Sequence, residues 1–581
     1  MRKLIAGSLL LTVFATSCGD EIVEESNKNV RKSNNDKIVY GGTLDVSKEE
    51  TFSTMFPTEV LDLPSYQLVN QLHDGLVEYD PSDFSLRSAV AREWEMSEDG
   101  SVYTFHLRKD VYFHNDACFA GGKGRNVTAN DVKFSIELLA SKEFENSYDA
   151  LLKPYLKGVD EYYSGSSNSI SGLEVIDDYT VKFTLKNPSN SFIYMLAMPN
   201  TSIIAKEAFD KYGKEMTVGC GPFKYIEPKD LTKELYLTFN ERYYQKDEEG
   251  NSLPYIDSIH FSFISSKQKQ LEAFNADELD IIDGLTSDKI AQVVAEKLQD
   301  FSNTPPKTVL DKSSDLSTQY YSFTCTKPPF DNVLVRQAFN YAVDRDRIIL
   351  EILDGRGTPG FYGITPKTQN FAKYNFESIK GYDYNPEKAK ELMAQAGYPD
   401  GEGFPEVTLE INLGGSVHKL VSSEIERQLS KNLGVNISID QVSFKNKLEH
   451  SKYGTSEMYR SAWVADYPLP ESFLSILFGG DVPNSMEKAS YPNVMRYVNP
   501  VYDSLFLAGK ETIDMDKSWE LFAQAENVMM QDAPIMVLWY DENYSMYHSS
   551  LRNYRGNGLK IADYSRVYIK PMTADEMKIN E

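Results

Sequence analysis

The sequence predicts a mixed α/β protein built as two large lobes, and three observations carry that expectation. Strand-like and helix-like segments alternate along the whole chain instead of clustering, the pattern of sheets flanked by helices. The stretch from about residue 38 to residue 581 is too long for one ordinary core, so it should divide. Apolar residues make up 41% of the chain and aromatic residues 12%, with 37 tyrosines, enough to fill a core in each lobe. No repeat at solenoid periods is visible.

The N-terminus comes first. Arg2 and Lys3 supply a positive start, and residues 4–14 are apolar but too short to span a bilayer, so residues 1–17 read as a signal peptide. Ala15-Thr16-Ser17-Cys18 places small residues before a cysteine and resembles the bacterial lipobox, which implies lipidation of Cys18. Residues 18–37 are polar and acidic with little to bury, and are expected to form a disordered leash behind that anchor. No other segment approaches the ~20 apolar residues of a membrane span. The expected location is the cell envelope, lipid-anchored and facing the periplasm or the cell exterior.

The elements follow in order. Tyr103 to Leu107, Thr180 to Leu185, Val407 to Ile411 and Ile535 to Trp539 carry strand signals. Thr128-Ala129-Asn130-Asp131 is a capping box, with Val132, Ile136 and Leu139 on one helical face. Asn385-Pro386 reads as an N-cap and first helical residue; Ala389, Leu392, Met393 and Ala396 form the buried stripe, and Gly397 is the stop. Val335, Ala338, Phe339, Ala342 and Val343 share another helical face, with Asp331 available near its start. Gly121-Gly122-Lys123-Gly124 imitates a phosphate loop but lacks its spacing and hydroxyl, so it reads as an insertion loop.

The composition excludes several classes. A net charge of -26 opposes binding to nucleic acid. Cys118, Cys220 and Cys325 show no metal-ligand spacing and neither demand nor exclude one disulfide. The seven histidines are scattered singly, and no nucleophile elbow, zinc-protease or P-loop pattern occurs. No enzyme activity, cofactor or metal is expected.

Several segments taken together resemble one family, the family 5 extracellular solute-binding proteins of peptide and nickel ABC importers. They run in order from Tyr40-Gly41-Gly42-Thr43-Leu44 through Asp74-Gly75-Leu76-Val77-Glu78-Tyr79-Asp80 to Tyr103-Thr104-Phe105-His106-Leu107-Arg108-Lys109-Asp110. Beyond these lie Gly219-Cys220-Gly221-Pro222-Phe223, Leu253-Pro254-Tyr255-Ile256-Asp257 and Lys327-Pro328-Pro329-Phe330-Asp331. The resemblance implies a two-lobed periplasmic-binding-protein-like fold of type II, the large cluster C type, with an extra subdomain in the N-terminal lobe. Lobe I would comprise 38–311 and 540–581, with 77–195 as the extra subdomain, and lobe II 312–539. The implied function is capture of short peptides in a closing cleft by a monomer that delivers them to an ABC permease. Nickel chelates, oligosaccharides and haem are the alternatives on the same scaffold.

One segment bears on the ligand: Trp463-Val464-Ala465-Asp466-Tyr467-Pro468, preceded by Tyr459-Arg460-Ser461-Ala462. From its residues alone, Asp466 ahead of Pro468 is a turn former. The resemblance gives it another role, pairing with the α-ammonium of a bound peptide, a cation that needs a fixed anion once buried. Arg460 matches an arginine that some members direct at the peptide's carboxylate end, and is otherwise a surface arginine. The resemblance also implies ligand contacts from Ser461, Trp463 and Ala465, whose extended backbone would pair with the ligand as an added strand. Asp62 and Leu63 match the other peptide-contacting segment, although Pro64 can equally mark a helix start.

Overall fold

The structure, a computed structural model, describes residue 31 and residues 33–34, 37–144, 147–414 and 416–573. The signal peptide expected at 1–17 and the lipidation expected at Cys18 lie outside the described residues. No described helix is long and apolar enough to cross a membrane.

Eleven strands form one sheet that runs through both lobes: β1 (Thr43–Lys48), β2 (Phe223–Ile226), β3 (Glu234–Phe239), β4 (Ser258–Phe263), β5 (Ile281–Ile282), β6 (Thr308–Phe323), β7 (Thr358–Pro359), β8 (Val407–Asn412), β9 (Ile437–Val442), β10 (Met458–Val464) and β11 (Ile535–His548). Their order is β9-β8-β10-β6-β11-β5-β1-β4-β3-β2, with β7 added beside β11. The long strands β6 and β11 join the lobes. On the lobe I side Thr308 to Ser314 pair with Glu542 to His548, and on the lobe II side Thr318 to Ser322 pair with Ile535 to Tyr540. Between these stretches the register breaks, and residues 315–317 leave β11. There Leu316 donates its N–H to the Gly558 carbonyl (2.9 Å) and accepts from the Ala465 N–H (2.8 Å), so one residue ties the C-terminal tail to the segment that ends β10.

The local sequence signals act as chemistry requires. Asp131 accepts from the Thr128 N–H (2.8 Å) and starts the helix Ala129–Leu139. Asn385 accepts from the Lys388 N–H (3.0 Å) ahead of Pro386–Gln395, and Gly397 takes the left-handed conformation (φ 97°) that stops it. The helix Val333–Tyr341 departs from expectation in one respect: its cap is Asn332, whose side chain accepts from the Leu334 N–H (2.9 Å), and not Asp331. Proline at 329 and the tight turn after it place Asn332 at the junction, and an amide oxygen caps as well as a carboxylate. Gly121 and Gly122 have positive φ with open space around them, as an insertion loop allows. The thiols of Cys118, Cys220 and Cys325 are free.

A separate four-stranded antiparallel sheet, ordered Ala91–Met96, Val102–Leu107, Thr180–Thr184 and Leu173–Asp177, forms the extra subdomain with the helix Ala129–Leu139 and a core around Phe105, Phe183 and Phe192. This subdomain reaches across to lobe II. Tyr155 donates its hydroxyl to buried Glu471 (3.2 Å), Lys510 pairs with the same carboxylate (3.5 Å), and Asn190 donates to the Thr512 carbonyl (2.9 Å). At the other end of the chain, Arg31 falls inside the segment expected to be a free leash yet is fixed on lobe I. It pairs with Asp257 (2.6 Å) and lies over the rings of Phe239 and Tyr40.

Candidate ligand-binding cleft

Strands β9 and β10 each run parallel to β8, so the C-terminal ends of all three meet at one edge of lobe II, where open α/β sheets present their ligand sites. Most of the sequence-predicted site residues lie on or just after β10. At Met458 and Tyr459 this strand is paired on both sides, with β6 and with β8. From Arg460 to Val464 it is registered only with β6, which leaves one side of its backbone as an open sheet edge.

The chain then turns sharply. The Ala465 N–H is spent on Leu316, and the Asp466 N–H donates to Ser472 Oγ (3.0 Å). Pro468 and Pro470 have no N–H to continue the ladder, and Pro470 opens the helix Pro470–Leu474. The main chain at Asp466 is therefore held from both sides. Its side chain is open to the cleft but closely surrounded by protein, and this partial desolvation alone raises its pKa to about 6. Among the described residues no cation or hydrogen-bond donor meets the carboxylate. Its charge reaches the phenols of Tyr467 and Tyr491 and that of Tyr79 from lobe I.

Arg460 lies farther along the same wall, in a small pocket with Gln319, His418, Ser461 and Trp539. Its guanidinium donates to Gln319 Oε1 (2.7 Å) and has no carboxylate partner among the described residues; burial lowers its pKa. Two further basic groups crowd it. Burial and then the Arg460 charge bring His418 down to about 4 and Lys447 down to about 8, and the Lys447 ammonium donates to the Arg460 carbonyl (2.8 Å). The cleft wall is thus polarised, with an unpaired anion at Asp466 and positive charge at Arg460 and Lys447 that the Asp541 and Glu410 carboxylates offset only in part, beside a neutral His418.

The remaining predicted residues divide. Ser461 lies beside Ser322 (3.3 Å between hydroxyls), and Trp463 rests half-buried on the lobe II core with no partner for its ring N–H. Ala465, 7% exposed, points into that core, so only its backbone faces other groups. Asp62 caps the helix Leu63–Leu72 by accepting from the Ser65 N–H (2.9 Å), and the Ser53 hydroxyl also donates to it. That carboxylate is committed to the helix. Leu63 is 40% exposed, and one turn later Tyr66 packs with Tyr79 against the lobe II core, which brings the helix start to the opposite wall. Sequence reasoning missed His418, Lys447, Tyr79 and Tyr491. Each is a single residue without a spacing pattern, and only the tertiary fold carries them to β10.

The family model described as bacterial extracellular solute-binding proteins, family 5 Middle, matches residues 85–485, more than half of the chain. The chain belongs to this family. The periplasmic oligopeptide-binding protein OppA of Escherichia coli is 27% identical over 522 residues, covering 88% of this chain and 89% of that protein. Heme-binding protein A of Haemophilus influenzae is 28% identical over 514 residues, with coverage of 86% and 87%. The structure of DppA from Helicobacter pylori in complex with the peptide STSA is 28% identical, has a TM-score of 0.70, and covers 92% of this chain and 99% of that one. These family 5 relatives are binding proteins and not enzymes.

Proposed function

We propose that this family 5 protein captures short peptides between its lobes and hands them to an ABC permease, while a lipid on Cys18 keeps it at the cell envelope. One observation carries the peptide reading: at Asp466 the main chain is held in place while the carboxylate, open to the cleft and crowded by protein, has no counter-ion among the described residues. A peptide's α-ammonium supplies that ion, and the open edge of β10 offers main-chain partners that any peptide shares. Arg460 with His418 suits the carboxylate end. Asp62 serves through its helix start and Leu63 through its side chain and backbone, from the opposite wall. The OppA and DppA relatives support this reading through what their names and titles state.

A second reading has its own support. The cations at Arg460 and Lys447, with the neutral His418 ring beside them, also fit the acid groups of a non-peptide solute such as haem, and one relative is named for heme binding. A thermal-unfolding series separates the two. A mixture of di- to pentapeptides raises the Tm of the wild type, and Asp466→Ala abolishes the rise while the unliganded protein stays folded. If the mixture leaves the Tm unchanged, or native mass spectrometry of the purified protein finds a non-peptide solute, the second reading takes over.

A further inference from the structure

An exposed apolar side chain is ordinary when it stands alone; several gathered at one functional edge are not. At the edge of lobe II that carries Asp466, three such residues come together. Val464 (61% exposed) ends β10, Leu413 (57%) directly follows β8, and Phe444 (59%) opens the helix that follows β9. β8 and β9 stay in register to their ends, where the Leu413 N–H donates to the Val442 carbonyl (2.7 Å), and β10, registered with β8 at Met458 and Tyr459, runs on five residues to Val464 on the same C-terminal side of the sheet. Opposite, the helix start that faces lobe II through Tyr66 presents Leu61 (74%) and Leu63. The strand-end edge of lobe II and the helix start across from it therefore both carry unburied hydrocarbon.

We infer that the ligands this cleft retains are short peptides with apolar side chains, whose termini are fixed by charge and whose side chains are buried against Phe444, Leu413, Val464, Leu61 and Leu63. The inference rests on the peptide reading and adds the side-chain class to it. In a strand-like ligand, alternate side chains project to opposite sides, so a peptide laid along β10 turns some toward lobe II and others toward lobe I. Each apolar side chain moved from water to such a wall gains in proportion to its buried area, a gain that a small hydroxyl side chain lacks.

The test compares trileucine, triserine and triglutamate, which share free termini, by calorimetric titration of the full mature chain. Trileucine binds at least ~10-fold more tightly than triserine, and Phe444→Ser with Leu413→Ser removes most of that difference while triserine affinity is kept. Both substitutions are at exposed positions, so the fold is retained, and an unchanged circular dichroism spectrum checks this. Equal affinities, a preference for triglutamate, or a double variant that still favours trileucine to the same degree overturns the inference; the apolar edge then faces something other than the ligand. Binding of none of the three defeats the underlying peptide reading instead.

Discussion

A carboxylate that is crowded by protein and left without a cation raises the free energy of the empty protein and waits for whatever supplies the charge. Asp466 is in that state, with its pKa raised to about 6 by desolvation. The sign follows from proton linkage. Between about pH 4 and pH 6 the folded, empty protein holds a proton here that the unfolded chain has released, so this residue's contribution to stability is largest at low pH and is lost as pH rises through 6. An ammonium beside Asp466 reverses the preference and draws the pKa down. Peptide binding at pH 5.5 should accordingly release a fraction of a proton and weaken as the pH falls, while binding at pH 7.5 releases none. Calorimetry in buffers of different ionisation enthalpy reads this directly. Asp466→Asn should lose ~100-fold or more in affinity, because it leaves the bound ammonium unpaired, without lowering the Tm of the empty protein. At the other end, Arg460→Gln should weaken peptides with a free C-terminus and leave their C-terminal amides nearly unaffected. Of these residues, Asp466 and Arg460 were legible because they stand in a contiguous segment with a family pattern. Lys447 and His418 were not, since their proximity to Arg460 arises only when two helices dock beside β10.

Among the elements, the contact between the extra subdomain and lobe II stands five residues beyond Asp466. Glu471 is almost wholly buried and is shared by Lys510 and the Tyr155 hydroxyl, with the Lys510 ammonium 4.6 Å from the Tyr155 ring centre. Burial pulls the lysine's pKa down, but Tyr155 and Glu471 outweigh it and hold it above the ordinary value. Removing the lysine leaves a buried acid with the Tyr155 hydroxyl but no cation. Lys510→Met should destabilise the protein by about 3 kcal/mol, seen as a lower Tm, and adding Glu471→Gln should restore most of the loss. Helix and strand identities in these elements were largely readable: the Thr128 and Asn385 caps and the strands at Val407 and Tyr103 lie where the side-chain pattern puts them. The β11 strand was underestimated. Its apolar run ends near Trp539, but its ladder continues to His548 because β6, and not its own hydrophobicity, carries it.

At the scale of the molecule, two lobes share one sheet through β6 and β11, and the pairing between them breaks twice, between Ser314 and Thr318 and between Gln319 and Tyr320. A bend placed at these breaks would leave the β6–β11 ladders on either side paired. Addition of a binding peptide should reduce the radius of gyration measured by X-ray scattering, and Asp466→Asn should blunt the change. The two-lobed plan was visible from length and segment order, whereas the fixing of Arg31 on lobe I was not, because a lone arginine in a polar stretch gives no sign of the Asp257 carboxylate that receives it.

The half-paired state of β10 has one more consequence. An unsatisfied strand rim normally invites identical molecules to stack on it and grow into fibrils, and proteins guard such rims with charge, proline or cover. Here the guard is brevity: the rim runs only from Arg460 to Val464, with the Lys447 ammonium on one of its carbonyls, so it offers a few residues of loose chain a foothold but gives a growing stack little to build on.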